Sequence, residues 1–287
     1  MHHAPRATDR LVQLKHDGAL WVHDIEGPRP DAPAVLLVHG LGVTAHLTWW
    51  RCYEPLSQHF RVLAFDLHGH GRGSRTRTFS LEGCASAALQ ILDAASVSRA
   101  IFAGYSLGGS VAKLAWRSAP ERAIGLVLAA TASDFGPREH TRTLRAAFHG
   151  MRAIAALRPE WLRRRLVERT LARLRGFESD EWIARELAGH DAATLLDAVR
   201  AAASFSSRSW LSEINVPVSV LITADDDRIP AERQRELAAG IPAATVFETP
   251  GDHTACATQP GFASAFVKAC RHVAERADRA ERAARAI

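Results

Sequence analysis

Residues 101–109 have the sequence IFAGYSLGG. It contains the pattern G-x-S-x-G, in which Ser106 stands between Gly104 and Gly108. A serine on a sharp turn from a strand into a helix needs small residues two positions before and after it, because larger side chains would collide across the turn. An apolar run precedes the pattern and the apolar residues 111–116 follow it. Ser106 is therefore a candidate nucleophile, and the alternative is a glycine-rich packing turn.

On both sides of this stretch, strand-like and helix-like patterns alternate. Short apolar runs predict strands at 10–16, 19–25, 34–38, 62–65, 100–103, 124–130, 218–222 and 244–247. Segments of helical length lie at 46–59, 80–96, 106–119 and 231–239, and residues 274–287 predict a terminal helix. Strands that alternate with helices predict an α/β fold with a mostly parallel sheet, of about eight strands here, flanked by helices.

Residues 134–210 interrupt this alternation. They contain no strand-like run, and their leucines recur at the spacing of a buried helical stripe. We expect an all-helical cap inserted between two strands of the sheet. The predicted domains are then a core formed by residues 1–133 and 211–287 and a cap, or lid, formed by residues 134–210.

Composition and charge exclude several classes of protein. Hydrophobic residues make up 47% of the chain and charged residues 23%, which is typical of a globular domain. Every apolar run is far shorter than the roughly 20 residues that span a bilayer, so we expect no stable membrane insertion. The net charge is +5, with 33 arginines and 3 lysines. The sequence shows neither the ligand spacing of a zinc site nor a helix-turn-helix pattern beside these basic residues. We therefore expect no nucleic-acid partner.

Cysteine usage predicts the compartment. The four cysteines stand at positions 52, 84, 256 and 270, and no two of them form a C-x-x-C pair. The first residues carry no apolar segment of the kind that a secretory signal needs. We expect reduced, buried thiols rather than a disulfide framework, and the cytoplasm as the location.

Backbone donors for a developing oxyanion are predicted near Ser106. Residues 39–42, with the sequence HGLG, follow the predicted strand 34–38. Flexible backbone at this place can present the N–H of Leu41 to an oxyanion, and the N–H of Leu107 can supply a second donor. The alternative for residues 39–42 is a simple glycine turn after a strand.

An acid and a base follow two later strands. Residues 225–227 are three consecutive aspartates after the predicted strand 218–222, and His253 follows the last predicted strand. In open α/β sheets, catalytic groups gather at the carboxyl ends of the strands, where a carboxylate can orient a histidine. Three adjacent acids can also bind a divalent cation, but no further ligand at a suitable spacing follows them. Ser106, Asp226 and His253 occur in the order nucleophile, acid, base, which distinguishes one serine-hydrolase fold from two others.

Together these motifs resemble the α/β-hydrolase family, in particular its capped esterases and lipases. The matching pieces are HG at 39–40, DLHGHG at 66–71, GYSLGG at 104–109, Asp226 four positions before Pro230, and GDH at 251–253. In this family the acid precedes a proline by four positions, which selects Asp226 over its neighbours Asp225 and Asp227. The chain departs from the family pattern at three positions: His68 replaces an Arg, Gly73 a Ser and Thr223 a Gly.

The resemblance implies a serine hydrolase that cleaves a carboxylic ester through an acyl-enzyme. Ser106 is the expected nucleophile, His253 the base and Asp226 the acid, with Leu41 and Leu107 forming the oxyanion hole. No cofactor and no metal are expected; His68 and His70 without a third ligand are weak evidence for a metal site. Two alternatives stay open, a carbon–carbon bond hydrolase or lyase on the same residues and a non-catalytic ligand receptor.

The expected partner is a small-molecule substrate with an apolar acyl or aromatic group. Trp49, Tyr105 and Phe135 are the candidate substrate contacts, although Trp49 and its neighbour Trp50 can instead anchor a helix. The cap segment holds 14 arginines and 10 acidic residues. This excess can attract an anionic substrate, touch a membrane surface, or form a solvated helical face. The oligomeric state stays open, with a homodimer among the alternatives.

Overall fold

The computed structural model describes residues 8–15, 18–75, 79–136, 186 and 189–286. The strands are β1 (Thr8–Gln13), β2 (Ala19–Ile25), β3 (Ala34–Val38), β4 (Arg61–Phe65), β5 (Ala100–Tyr105), β6 (Ala123–Ala129), β7 (Val218–Thr223) and β8 (Thr245–Thr249). The helices are α1 (Ala45–Ser57), α2 (Leu81–Ala94), α3 (Leu107–Ser118), α4 (Ala192–Ser204), α5 (Ala231–Ala239), α6 (Ala255–Thr258) and α7 (Pro260–Arg285).

The eight strands form one sheet in the order β1-β2-β4-β3-β5-β6-β7-β8. β1 pairs antiparallel with β2, and β2 antiparallel with β4, whereas every later pair is parallel. Every residue of β3, β5 and β7 is buried, which explains why their sequences are continuous apolar runs. The predicted α/β class, strand number and mostly parallel sheet are therefore confirmed.

Helices cover both faces of the sheet. α2 and α3 pack on one face, and α1 and α7 on the other. Successive residues of a strand point to opposite faces, and accordingly Leu36 of β3 lies in the core beneath α2 and α3 while Leu37 lies in the core beneath α1 and α7. Both leucines are fully buried. Burial of each such side chain stabilises the fold by about 1.5–3 kcal/mol.

The last helix is longer than the sequence analysis predicts. α7 begins at Pro260, well before residue 274, and extends over 26 residues. Proline is favoured in the first turn of a helix, where its missing N–H has no partner to lose. Phe262, Phe266, Cys270 and Val273 follow at helical spacing and are all buried against the sheet.

Part of the predicted cap is described. α4 (Ala192–Ser204) agrees with the expected helical content of residues 134–210, whereas residues 137–185, 187 and 188 lie outside the described residues. The division into core and cap therefore stays a prediction.

The chain after β6 and the chain at Ser207 meet beside α3. Lys113 of α3 is fully buried, and its Nζ donates to the carbonyl of Ala132 at 2.8 Å and to Ser207 Oγ at 2.9 Å. Ser207 Oγ in turn donates to the carbonyl of Ser133 at 2.9 Å. Burial lowers the pKa of Lys113 from 10.5 to about 7, against the opposing effect of the Asp134 carboxylate.

Two further expectations concern membranes and thiols. Among the described residues, no helix combines the length and the apolar character needed to cross a bilayer. All four cysteines are free and buried in the structure. Burial raises the pKa of Cys256 to about 12, so this thiol stays protonated at neutral pH.

Candidate active site

Ser106 occupies a sharp turn between β5 and α3. Its backbone has φ 53° and ψ −119°, a conformation that costs a non-glycine residue about 1–3 kcal/mol. A Cβ placed on Gly104 would lie 2.2 Å from the carbonyl oxygen of Gly108, and one on Gly108 would lie 2.1 Å from the carbonyl oxygen of Val38. The requirement for small residues on both sides of Ser106 is thus confirmed.

The turn exposes Ser106 while it buries its surroundings. Residues 100–105 and 107–113 are all buried, and Ser106 alone within 100–113 is half-buried. The Ser106 N–H donates to the carbonyl of Ala129 in β6 at 2.9 Å, which ties the turn to the neighbouring strand. Ser106 is accordingly the accessible residue of the otherwise buried stretch 100–113.

The structure brings Ser106, His253 and Asp226 together. His253 Nε2 lies 2.9 Å from Ser106 Oγ, and His253 Nδ1 lies 2.8 Å from Asp226 Oδ2. The three residues follow β5, β8 and β7 respectively, so all three lie at the carboxyl edge of the sheet. Because an ionised carboxylate can only accept hydrogen bonds, Asp226 favours the tautomer with a proton on Nδ1, which leaves Nε2 free to accept the Ser106 proton.

Several donors surround the Asp226 carboxylate. Its Oδ2 accepts from Thr223 Oγ1 at 2.8 Å, and its Oδ1 accepts from the N–H groups of Arg228 and Ile229 at 3.0 and 2.9 Å. Burial by itself would raise the pKa of this carboxyl group, but the hydrogen bond and charge of His253, together with the Ile229 N–H and the Thr223 hydroxyl, lower the pKa of Asp226 below its ordinary value. Asp226 is therefore ionised at neutral pH.

The neighbouring aspartates have other surroundings. Asp227 is exposed. Asp225 Oδ2 accepts from the N–H of Gly251 at 2.9 Å, and the Asp225 N–H donates to the carbonyl of Gly251 at 3.1 Å. These two bonds join the loop that carries Asp226 to the loop that carries His253. Of the three candidates, Asp226 is the one in contact with His253.

Two residues that support Asp226 were missed by the sequence analysis. Thr223 stands where the family often has glycine, and its hydroxyl is the donor described above. Gln234 of α5 is fully buried; its Nε2 donates to Thr223 Oγ1 at 3.0 Å and to the carbonyl of Ile229 at 2.7 Å. The signal for Thr223 was its departure from the family pattern. For Gln234 no signal distinguished it from the other polar residues of a surface helix.

Leu41 and Leu107 both lie beside Ser106. Leu107 is the first residue of α3, where a helix leaves its backbone N–H groups without an intrahelical acceptor. Leu41 follows β3 in a turn whose next residue, Gly42, has φ 69°. A Cβ placed on the preceding Gly40 would lie 3.3 Å from Ser106 Cβ, so this turn packs directly against Ser106.

His39 holds the turn that carries Leu41. Its ring is fully buried; Nδ1 lies 2.7 Å from the carbonyl oxygen of Gly40, and Nε2 accepts from the N–H of Leu67 at 2.8 Å. Burial lowers the pKa of His39 to about 4, so the ring is neutral at neutral pH, with its one proton on Nδ1. The Gly40 carbonyl belongs to the same peptide group as the Leu41 N–H, and the ring therefore orients that peptide.

The candidate substrate contacts have three different environments. Trp49 has no exposed surface; its ring centroid lies 4.8 Å from that of Phe266, so it anchors α1 on α7, the alternative given above, and cannot touch a substrate here. Tyr105 is also buried, with its hydroxyl donating to the carbonyl of His253 at 2.9 Å. It holds the backbone of the histidine loop. Phe135 is partly buried and packs, like Leu41, against the core beneath α2 and α3.

The histidines at 68 and 70 pack within the fold. His70 Nδ1 lies 3.0 Å from the carbonyl oxygen of His68, and the ring centroids of His70 and His39 are 5.2 Å apart. Within the described ranges, no group of three or more His, Cys, Asp or Glu side chains is arranged to hold a metal ion. A Cβ on Gly73 would lie 2.2 Å from the carbonyl oxygen of Leu67, which explains glycine at this departure from the family pattern.

Comparison with known proteins gives one family. Residues 33–260 match a family model described as alpha/beta hydrolase fold. A proline iminopeptidase, PfmaB, of Pestalotiopsis fici is 38% identical over 100 residues, which are 33% of this chain and 33% of that protein. A pimeloyl-(acyl-carrier protein) methyl ester esterase of Serratia marcescens is 35% identical over 105 residues, 37% of this chain and 39% of that protein. The chain thus matches between a third and two fifths of the length of these two relatives.

Similarity to solved structures extends over nearly the whole chain. The crystal structure of the enol-lactonase from Burkholderia xenovorans LB400 superposes with a TM-score of 0.66 at 26% sequence identity. The superposition covers 92% of this chain and 99% of the lactonase.

Proposed function

This chain belongs to the α/β-hydrolase fold family and is a hydrolase, and from this premise we propose that it cleaves carboxylic esters through an acyl-enzyme formed on Ser106. The observation that carries the proposal is the continuous chain of hydrogen-bond contacts from Ser106 Oγ through His253 to the buried Asp226 carboxylate, with Ser106 the accessible member of its turn. A serine hydroxyl is a weak nucleophile by itself and is activated by such an adjacent base.

The first half of the proposed reaction forms the acyl-enzyme. Ser106 Oγ attacks the ester carbonyl carbon while His253 Nε2 takes the hydroxyl proton. The carbonyl oxygen becomes an oxyanion, to which the N–H groups of Leu41 and Leu107 donate. When the intermediate collapses, the bond to the alcohol oxygen breaks, and His253 returns its proton to that oxygen so that the alcohol leaves neutral.

Water completes the reaction by the same route in reverse. His253 takes a proton from the water molecule as it attacks the acyl carbon of the acyl-enzyme, and then returns that proton to Ser106 Oγ as the carboxylic acid leaves. Asp226 stays ionised throughout, holds the Nδ1 proton and stabilises the imidazolium that forms in each half. The donors around Asp226 keep it ionised, as its lowered pKa indicates.

The relatives support the chemistry and the choice of an ester. An iminopeptidase, a methyl ester esterase and an enol-lactonase are named after different substrates, and each of those substrates has a carbonyl carbon that a nucleophile can attack. Two of the three names specify an ester or a lactone. We therefore favour the ester over the carbon–carbon bond hydrolase, the lyase and the ligand receptor, which become outcomes of the test.

The proposed substrate is a small molecule with an apolar acyl or aromatic group. Leu41 and Phe135 are apolar, partly buried and packed against the same core. We also propose that the reaction needs no cofactor and that the protein has no nucleic-acid partner. We keep the cytoplasm as its location, because the four cysteines are buried free thiols.

The test combines ester hydrolysis with covalent labelling. p-Nitrophenyl esters of increasing acyl length are assayed with the wild type, Ser106→Ala and Ser110→Ala, and all three are treated with a fluorophosphonate whose site of attachment is mapped by mass spectrometry. Ser110 is a matched control, since it is a buried serine in α3, the helix that directly follows Ser106. We expect hydrolysis and labelling in the wild type and in Ser110→Ala, and neither in Ser106→Ala.

Each other outcome identifies a different function. Labelling of Ser106 without hydrolysis of any ester would overturn the ester and favour carbon–carbon cleavage. Folded wild-type protein that neither labels nor hydrolyses would favour the receptor. Full activity in Ser106→Ala would show that the nucleophile lies elsewhere.

A further inference from the structure

We propose that Thr131 is a positioning residue for one half of the oxyanion hole, because its hydroxyl holds the carbonyl of the peptide group whose N–H belongs to Leu107. The inference rests on the proposed function, since it assigns Thr131 a part in the same site. Thr131 does not touch the substrate; it acts through the backbone of Ser106 and Leu107.

The first observation is the hydrogen bonding of the Ser106 carbonyl. Thr131 Oγ1 donates to this oxygen at 2.7 Å, and the N–H of Gly109 donates to it at 2.9 Å. The bond between Ser106 and Leu107 is trans, so its N–H points away from its C=O. Fixing the carbonyl on the Thr131 side therefore also fixes the Leu107 N–H, which points in the opposite direction within the same peptide plane.

The second observation is the backbone that delivers Thr131. Immediately after β6, Ala130 has φ 47°, a left-handed conformation that costs a non-glycine residue about 1–2 kcal/mol. The Ala130 N–H donates to the carbonyl of Leu221 in β7 at 3.1 Å. This kink ends the strand and places the fully buried Thr131 side chain beneath the turn at Ser106.

The third observation is how tightly this segment is held against α3. A Cβ placed on Gly109 would lie 2.6–2.8 Å from three side-chain atoms of Thr131, so the side chain fills the space beside the first turn of the helix. One residue later, the carbonyl of Ala132 accepts from the buried ammonium of Lys113 at 2.8 Å. Thr131 and Ala132 are thus fixed to the helix at its first and its second turn.

These contacts have two consequences for the oxyanion. Orientation is the first, because a donor helps only when it lies within about 3 Å of the position that the oxyanion will occupy. Polarisation is the second, because a peptide whose carbonyl accepts two hydrogen bonds becomes a stronger N–H donor. Both would act on the rate of the chemical step and not on the affinity for the neutral substrate.

The experiment measures how fast Ser106 reacts when the Thr131 hydroxyl is removed. The wild type, Thr131→Val, Thr131→Ser and Ser110→Ala are each labelled with a fluorophosphonate, and the saturating rate of labelling is separated from the concentration that gives half of it. Valine keeps the shape of threonine but removes the donor, whereas serine keeps the donor. The Ser110 hydroxyl is buried without a hydrogen-bond partner among the described residues, so Ser110→Ala controls for loss of a buried hydroxyl from α3.

We expect Thr131→Val to lower the saturating rate by about 10-fold, with little change in the half-saturating concentration. Deletion of a whole oxyanion donor costs roughly 10²–10³, and here the Leu107 N–H remains but loses its support. Thr131→Ser should restore most of the rate, and Ser110→Ala should react like the wild type. A general loss of structure would not separate the two parameters in this way, nor be reversed by serine.

Three results would overturn the proposal, and they are distinguishable. If Thr131→Val labels at the wild-type rate, Thr131 has no positioning part, while hydrolysis by the wild type would leave the proposed function intact. If the wild type itself does not label at Ser106, the proposed function fails and the part of Thr131 with it. If Thr131→Val does not fold, Thr131→Cys replaces it, because a thiol is a weaker hydrogen-bond donor than a hydroxyl. Labelling of Thr131→Cys at the wild-type rate would equally contradict the proposal.

Discussion

The turn from β5 to α3 and the loop from β7 to α5 each present one member of the proposed triad at the same edge of the sheet, but their backbones are held in different ways. At the nucleophile, backbone approaches backbone so closely that Gly104 and Gly108 leave no room for a side chain. At the acid, hydrogen bonds to one carboxylate hold the loop, because Asp226 accepts from the hydroxyl of Thr223 and from the backbone N–H groups of Arg228 and Ile229.

The difference indicates what each region tolerates. Close backbone contact fails when atoms are added, since main-chain atoms cannot move aside without shifting a strand or a helix. A hydrogen-bonded carboxylate fails when donors are removed, since it is then buried with unsatisfied charge. The four predictions below test this contrast, in order of decreasing expected effect.

The largest effect is expected at the acid itself. Asp226→Asn keeps the shape of the side chain but removes its charge and allows its amide to donate, which favours the wrong tautomer of His253. We expect kcat for p-nitrophenyl ester hydrolysis to fall by about 10³–10⁴ with the fold intact. The exposed Asp227→Asn is the matched control and should stay within about twofold, as most surface changes do. A comparable loss in Asp227→Asn would show that the acid is misassigned.

A second prediction adds one methyl group at the nucleophile. Gly108→Ala would place a Cβ 2.1 Å from the carbonyl oxygen of Val38, so we expect a loss of about 3 kcal/mol or more in the free energy of unfolding, measured by urea denaturation. Gly261→Ala is the control, because nothing lies within 4 Å of a Cβ at that position in α7. It should be neutral or slightly stabilising. Equal stability of Gly108→Ala and the wild type would contradict the account of close packing.

The third prediction removes one donor from the acid. Thr223→Val deletes the hydroxyl that bonds Asp226 Oδ2, and we expect the stability at neutral pH to fall by about 2 kcal/mol. The lowered pKa of Asp226 means that its stabilising effect is present above the ordinary pKa of an aspartate and is lost as the pH falls through the native value. Thr223→Val should therefore lose less stability than the wild type on acidification.

Ser219→Ala is the control for that variant. Ser219 also lies in β7, and its buried hydroxyl has no hydrogen-bond partner in the described part of the chain. We expect little change in stability and the same acid dependence as in the wild type. If Thr223→Val and Ser219→Ala behave alike, the threonine hydroxyl does not support the acid.

The smallest effect concerns a buried charge on the nucleophile side. The native pKa of Lys113, about 7, lies below its ordinary value of 10.5, so between these values the unfolded chain binds a proton that the native protein does not. Stability should therefore rise with pH across this window, and Lys113→Met should remove at least about 1 kcal/mol of that rise. Urea midpoints at pH 7 and pH 9.5 measure it, with the exposed Lys268→Met as control. If the stability of Lys113→Met rises as much as that of the wild type between pH 7 and pH 9.5, the rise is due to another titrating group.

The parts of the site that could be predicted were those with a local signature. One sharp turn requires the glycines that flank Ser106, the strand before it and the helix after it. Because a turn involves only residues that are adjacent in the sequence, this signature is visible there. The order Ser106, Asp226, His253 was likewise visible, because each residue follows an apolar run that had to be a buried strand. The choice of Asp226 among three aspartates came from resemblance, and its contact with His253 agrees with it.

Residues whose part depends on packing were misjudged or missed. Trp49 and Tyr105 were expected at the substrate, yet both are buried, because α1 and β5 turn these side chains toward α7. The residues adjacent in sequence gave no indication of this. An aromatic residue that lines a pocket and one that fills a core are flanked by the same types of residue in the sequence.

The alternation of strands and helices, the turn at Ser106 and the order of the candidate triad could be predicted from the amino-acid sequence, because periodicity and glycine requirements act between residues a few positions apart. Three contacts became visible only in the folded molecule. Thr131 donates to the Ser106 carbonyl, Gln234 donates to Thr223 in the acid loop, and Lys113 joins two segments that are distant in sequence. Those contacts depend on which strands are neighbours and on where each chain segment leaves the sheet. Strand order and loop paths are set by the packing of the whole core, so no short stretch of sequence contains them.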